Sequence, residues 1–213
     1  LGCKGYNEFK MALALDIQQG QPTQRSGDEI DNVVNESVQA LQDTAKLLDR
    51  ALLEQAAQAL HQADAVQIYG VAASAILGEY LHYKLLRLGK PAQLFSDMHR
   101  AAMNATTLSK NTLVVAISSS GSTRDLLHVV KLARKRGVQV LSLSNTPRSP
   151  LASLSDIQLV AAKPEGPLSA GALNAKVGVM LLVELLTTSL IALDEHYSDV
   201  NQQTASATLP LLL

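Results

Sequence analysis

The stretch Leu113 to Arg136, reading L-V-V-A-I-S-S-S-G-S-T-R-D-L-L-H-V-V-K-L-A-R-K-R, constrains this chain most. Leu113 to Ile117 is a short apolar run rich in β-branched residues, the pattern of a buried parallel strand. After Thr123 the period changes. Leu126, Leu127, Val130 and Ala133 fall at helical spacing, and Gly137 stops the helix. The join is Ser118, Ser119, Ser120, Gly121, Ser122 and Thr123. A helix start exposes N–H groups that have no intrahelical acceptor, and hydroxyls add neutral donors, so a strand-to-helix turn of this kind is an anion site. One helix cap needs one hydroxyl. Five hydroxyls in six residues point instead to a phosphate-type ligand.

The rest of the chain repeats the strand–helix alternation. Ala65 to Tyr69, Ala92 to Phe95, Val138 to Leu143 and Ile157 to Val160 read as the other strands. Helices are expected over Ala75 to Leu88, Asp97 to Thr106 and Gly171 to Leu193, with a further one from Asp194 to Ala207. This alternation predicts a doubly wound, five-stranded parallel sheet flanked by helices over residues 63–213, with ligands at the carboxyl ends of the strands. Ser74, in the turn after the first strand, offers a second hydroxyl near such a crevice. Residues 19–62 read as a linker and two helices. Ser26-Gly27-Asp28-Glu29 has the form of a capping box, and Ile30, Val33, Val34, Ser37, Val38, Leu41, Ala45 and Leu48 form a helical stripe. Asp49 is expected to cap the second helix, Arg50 to Gln62. Such a pair suits packing or dimerisation.

Several functions are disfavoured. The net charge of −1 gives no electrostatic footprint for nucleic acid over the chain as a whole. One cysteine, Cys3, excludes internal disulfides and a C-x-x-C site. No G-x-G-x-x-G, G-K-[ST], H-E-x-x-H or G-x-S-x-G pattern occurs. The apolar run Val177 to Leu193 contains Glu184 and three hydroxyl residues, and it reads as a buried helix. Candidate acid–base or hydroxyl-reading groups are His99, Glu165 and Lys176, each with a bland structural alternative as a capping imidazole, a loop carboxylate or a surface lysine.

The residues Y-G-V-A-A-S (Tyr69 to Ser74) and I-S-S-S-G-S-T (Ile117 to Thr123) resemble the two ligand turns of the sugar isomerase (SIS) domain, a phosphosugar-binding module. Its S-x-S-G-x-T loop is met by Ser118, Ser120, Gly121 and Thr123. Its G-x-G-x-S turn departs at Ala72. The segment L-G-C-K-G-Y-N-E-F-K (Leu1 to Lys10) resembles the end of the helix-turn-helix domain of RpiR-family bacterial transcriptional regulators. Residues 1–18 are accordingly expected to be the remnant of an all-α DNA-binding domain whose recognition helix is absent, the chain being a fragment. Ser96-Asp97-Met98-His99 resembles the branch that regulates N-acetylated amino-sugar and sialic acid catabolism.

The resemblance implies a cytoplasmic, dimeric or tetrameric regulator, a repressor of amino-sugar or sialic acid catabolism, that binds operator DNA, needs no cofactor and has no membrane partner. Its ligand would be a sugar phosphate such as N-acetylmannosamine 6-phosphate. Ser118, Ser120 and Thr123 would hold the phosphate, helped by the backbone N–H groups of Gly121 and Ser122, with Ser119 also among the ligand-binding residues. Ser74 would bond the sugar or phosphate from the first turn, and His99, Glu165 and Lys176 would read hydroxyls or the acetamido group, some of them from a partner subunit. The rival expectations are an aldose–ketose phosphate isomerase, with Glu165 or His99 as base, and an adaptor acting on another protein.

Overall fold

The computed structural model describes residues 28–163 and 172–212, together with Leu13. Two helices open it: α1 (Glu29–Leu47) and α2 (Arg50–Gln62). The alternating part follows as β1 (Ala65–Tyr69), α3 (Ala73–Arg87), β2 (Ala92–Phe95), α4 (Met98–Ala105), β3 (Thr112–Ile117), α5 (Arg124–Arg134), β4 (Gln139–Ser144) and β5 (Ile157–Val160). The helices α6 (Leu173–Ile191) and α7 (Glu195–Thr208) complete it. The five strands are all parallel, in the order β2-β1-β3-β4-β5. The order reverses direction between β1 and β3, and the carboxyl ends of strands at such a switch point form the ligand crevice of open α/β sheets.

The central strand explains the layering. Every residue of β3 is buried. Its side chains alternate, so Leu113, Val115 and Ile117 face one helical layer while Val114 and Ala116 face the other. The first layer contains α2, α3, α6 and α7, through Leu60, Leu81, Leu186 and Tyr197 among others. The second contains α4 and α5, through Ala101, Ala105, Leu126 and Val130. Each fully buried aliphatic side chain contributes roughly 1.5–3 kcal/mol, and this alternation lets one short strand supply both cores.

Among the described residues, α6 is the one helix long and apolar enough to cross a bilayer. Here it is a core helix. Ala175, Gly178, Val179, Leu182, Val183, Leu186 and Leu190 are buried on one face. Its one acidic residue, Glu184, lies at the rim, 2.9 Å from the Lys84 ammonium, and also accepts a hydrogen bond from the Tyr80 hydroxyl. That bond, helped by burial, pushes the Tyr80 phenol up to about 12.

Three expectations change. The N-cap of α1 is Asp28, whose carboxylate accepts from the Ile30 N–H. Ser26 lies outside the described residues. Ser74 belongs to the first turn of α3, which starts at Ala73 and not after the turn. The α1 stripe does not face this chain's core. The buried positions of α1 are Ala40 and Thr44, whereas Ile30, Val33, Val34, Val38 and Leu41 are exposed. Periodicity identified an amphipathic helix, and its apolar side is exposed among the described residues.

Candidate functional site

The hydroxyl loop leaves β3 at Ser118 and enters α5 after Thr123. Its shape is held by internal bonds. The Gly121 N–H donates to both the carbonyl and the hydroxyl oxygen of Ser118, each at 3.1 Å. The Ser122 N–H donates to Ser120 Oγ at 3.2 Å. Gly121 sits at φ +60°, and a Cβ there would lie 2.2 Å from Ser149 Oγ, so the position needs glycine for both conformation and space. Thr123 occupies the N-cap position of α5, yet its side chain makes no capping bond. Its hydroxyl lies instead 3.3 Å from Ser118 Oγ. The loop is therefore not explained as a helix cap. The first-turn N–H groups of α5, from Arg124 onward, have no intrahelical acceptors and point out of the helix start. The N–H groups of Gly121 and Ser122, expected to serve the ligand, are used within the loop. They preorganise its hydroxyls.

Lys176, on the first turns of α6, places its ammonium 2.9 Å from Ser119 Oγ. The sheet topology brings the loop and α6 together, since Ser119 and Lys176 are 57 residues apart. A cation beside a hydroxyl-lined helix start complements a phosphate in charge and in donor number. Ser118 and Ser119 are buried, and Ser120 and Ser122 are exposed, so the loop has an anchored inner half and an open outer half.

Ser74 follows β1, which pairs with β3 in the register Tyr69↔Ala116, so both hydroxyl turns leave the sheet side by side. Between them Ala72 takes φ 51° and ψ −128°, a region that glycine favours. This is the position where the SIS pattern has glycine. The departure keeps the glycine backbone shape and carries its strain.

His99 stands on the first turn of α4, exposed, and its N–H donates to the N-cap carboxylate of Asp97 at 2.8 Å. The N–H groups of Arg100 and His99 hold the Asp97 carboxyl below its usual range. His99 lines a cleft of about 900 Å³ with Val71, Met98, Met103, Asp125 and His128. The cleft runs from the turn after β1 to the outer face of α5, and the loop serines do not line it. The structure thus groups Ser118, Ser119, Thr123 and Lys176, and places His99 on a neighbouring wall. Glu165 lies outside the described residues.

Three residues escape motif reading. Asp125 and His128 reach the cleft because they lie three apart on α5, directly after the loop, a spacing that puts them on one helix face. Asn145, just past β4, is 1% exposed and donates its backbone N–H to the Ser119 carbonyl at 3.1 Å. A serine- and asparagine-ended strand was its only signal.

Comparison with known proteins decides the family. The SIS domain matches residues 59–189. The chain belongs to the SIS domain family. NanR of Vibrio vulnificus, solved in complex with ManNAc-6P, is 48% identical, superposes with a TM-score of 0.92, and is matched over 99% of this SIS chain and 77% of that one. The transcriptional regulator RpiR of Escherichia coli K12 is 25% identical over 97% of this chain and 73% of its own length. The sugar isomerase domain of an RpiR transcription factor from Sphaerobacter thermophilus has the same fold, with 24% identity, a TM-score of 0.76 and coverage of 84% of this chain and 99% of that one. The SIS chain's similarity to proteins named as regulators extends beyond the phosphosugar module into the helices that precede it.

Proposed function

We propose that this SIS protein is a transcriptional regulator, and not an isomerase, whose domain senses a phosphorylated amino sugar, with N-acetylmannosamine 6-phosphate as the leading ligand. The observation that carries the reading is the hydroxyl loop with Lys176 against it, set in a chain 48% identical to NanR of Vibrio vulnificus, solved with ManNAc-6P. Ser118, Ser120 and Thr123 donate hydroxyls to the phosphate, Lys176 supplies its counter-charge, and the start of α5 adds N–H groups. Ser74 approaches from the adjoining turn. His99 and Glu165 read the sugar hydroxyls or the acetamido group.

The protein works on operator DNA in the bacterial cytoplasm as a homodimer, and the outward apolar stripe of α1 supports that assembly. It acts as a repressor of amino-sugar or sialic acid catabolism. The phosphosugar changes DNA affinity only to the extent that it binds one arrangement of the dimer more tightly than the other.

Calorimetry of the full-length protein against hexosamine 6-phosphates tests the reading, with Ser120→Ala/Thr123→Ala as the control. Saturable binding without turnover is expected, and the double variant, still folded, should bind at least about tenfold more weakly, at roughly 1 kcal/mol per lost hydrogen bond. Turnover at ordinary enzyme rates would overturn the sensor reading.

A further inference from the structure

One buried residue joins the hydroxyl loop to the helix that precedes the domain. Asn145 donates its backbone N–H to the Ser119 carbonyl at 3.1 Å. Its side-chain amide donates to the Ala162 carbonyl at 3.0 Å and to the Ala175 carbonyl at 3.1 Å. Ala175 immediately precedes Lys176, which is bonded to Ser119 Oγ at 2.9 Å. Asn145 therefore grips both walls of the phosphate site, the loop and the start of α6.

The segment it holds reaches α1. The Ala162 N–H donates to Thr44 Oγ1 at 3.0 Å, and that hydroxyl donates to the Ala40 carbonyl at 2.7 Å. Ala40 and Thr44 are the buried positions of α1. Thr44 also packs on Gly178 of α6, where an added Cβ would meet its hydroxyl at 2.8 Å. Nearby, Lys163 pairs with Asp43 at 3.3 Å, and the Asn174 amide donates to Glu36 at 3.1 Å. α1 thus packs on α6 at Ala40, Thr44 and Gly178, and its polar bonds reach the segment that Asn145 holds.

We propose that Asn145 is the positioning residue that couples the phosphate loop to α1, so that occupancy of the loop alters the seating of α1 through Ala162 and Thr44. The proposal rests on the phosphosugar-sensing reading for its biological meaning. The coupling itself rests on the bonds described above and not on the ligand's identity. It is reciprocal, so loosening α1 must loosen the loop.

The test uses full-length protein carrying Thr44→Val, which removes the acceptor for the Ala162 N–H without touching the site. Hydrogen exchange is followed at the Gly121 and Asn145 amides, with Ile157→Val as a core change outside the chain of bonds. Faster exchange at both amides in Thr44→Val, and not in Ile157→Val, is expected. Wild-type exchange at those amides would overturn the coupling. In parallel, N-acetylmannosamine 6-phosphate should bind severalfold more weakly to Thr44→Val, and Asn145→Ala combined with Thr44→Val should lose little more than Asn145→Ala alone. Unchanged affinity in Thr44→Val, or fully additive losses, would count against it. A wild-type protein that binds no phosphosugar would refute the sensing reading, and the exchange comparison would still decide the coupling.

Discussion

The Lys176 ammonium donates to Ser119 Oγ at 2.9 Å, joining the first turns of α6 to the inner half of the hydroxyl loop. This contact turns a loop of neutral donors into a site with a positive charge on its wall. Replacing the charge while keeping a donor isolates its contribution. Lys176→Gln should weaken phosphosugar binding about tenfold or more, since a hydrogen bond to a charged group contributes roughly 1.5–3 kcal/mol. Calorimetry reads this directly, and an affinity within twofold of wild type would remove Lys176 from the site.

Gly121 combines two requirements, φ +60° and the closeness of Ser149. Gly121→Ala should destabilise the protein by more than about 1 kcal/mol and abolish phosphosugar binding. Adding Ser149→Gly relieves the steric part, leaving the conformational strain. Partial recovery of the melting temperature is the expected result, whereas full recovery would show that the left-handed backbone costs nothing there.

Ala72 offers the opposite change. With φ 51° it holds a conformation suited to glycine. Ala72→Gly should raise stability by about 1 kcal/mol, which is ~2–4 °C in a chain of this size. A lower melting temperature would mean that the loss of unfolded-state entropy in alanine outweighs the strain.

Asp97 caps α4 and positions the backbone beside His99. Bonds from the Arg100 and His99 N–H groups depress its folded pKa. A depressed carboxyl contributes stability that is fully present above its unfolded value, about 3.9, and is lost as pH falls through the folded value. The amide resonances of His99 and Arg100 should therefore titrate with a midpoint below about 3.9. Asp97→Asn, which can still cap, should remove the titration. A midpoint at or above the ordinary carboxylate value would contradict the assignment.

The exposed stripe of α1 carries the assembly prediction. Val34→Asp with Val38→Asp places charges on a face that is exposed among the described residues. The folded monomer should keep its stability while the full-length protein shifts toward monomer in sedimentation. An unaltered oligomeric state would move the interface elsewhere.

Much of this protein is legible locally. The boundaries of β1, β2, β5 and α2 follow from short apolar runs and from Asp49 as a cap, because strand and helix signals depend on residues a few positions apart. The hydroxyl loop is legible for the same reason, being six consecutive residues between a strand and a helix. Ser74 was visible as a hydroxyl, but its place inside α3 was not, because the helix starts on a strained alanine that no N-cap preference anticipates.

By itself, then, the chain's sequence determined the alternation of strands and helices, the hydroxyl-rich strand-to-helix turn at Ser118–Thr123 and the amphipathic nature of α1. Only the tertiary structure decided which side of α1 is exposed among the described residues, that Lys176 bonds Ser119 while the Gly121 N–H is used within the loop, and that Asn145 bonds both the Ser119 and the Ala162 carbonyls. Those outcomes depend on pairs separated by tens of residues, such as Ser119 with Lys176 or Thr44 with Ala162. Periodicity and capping act over a few residues. The order of strands in the sheet brings the distant pairs together, because parallel strands set the turns after β1, β3 and β4 along one edge and seat α6 against them.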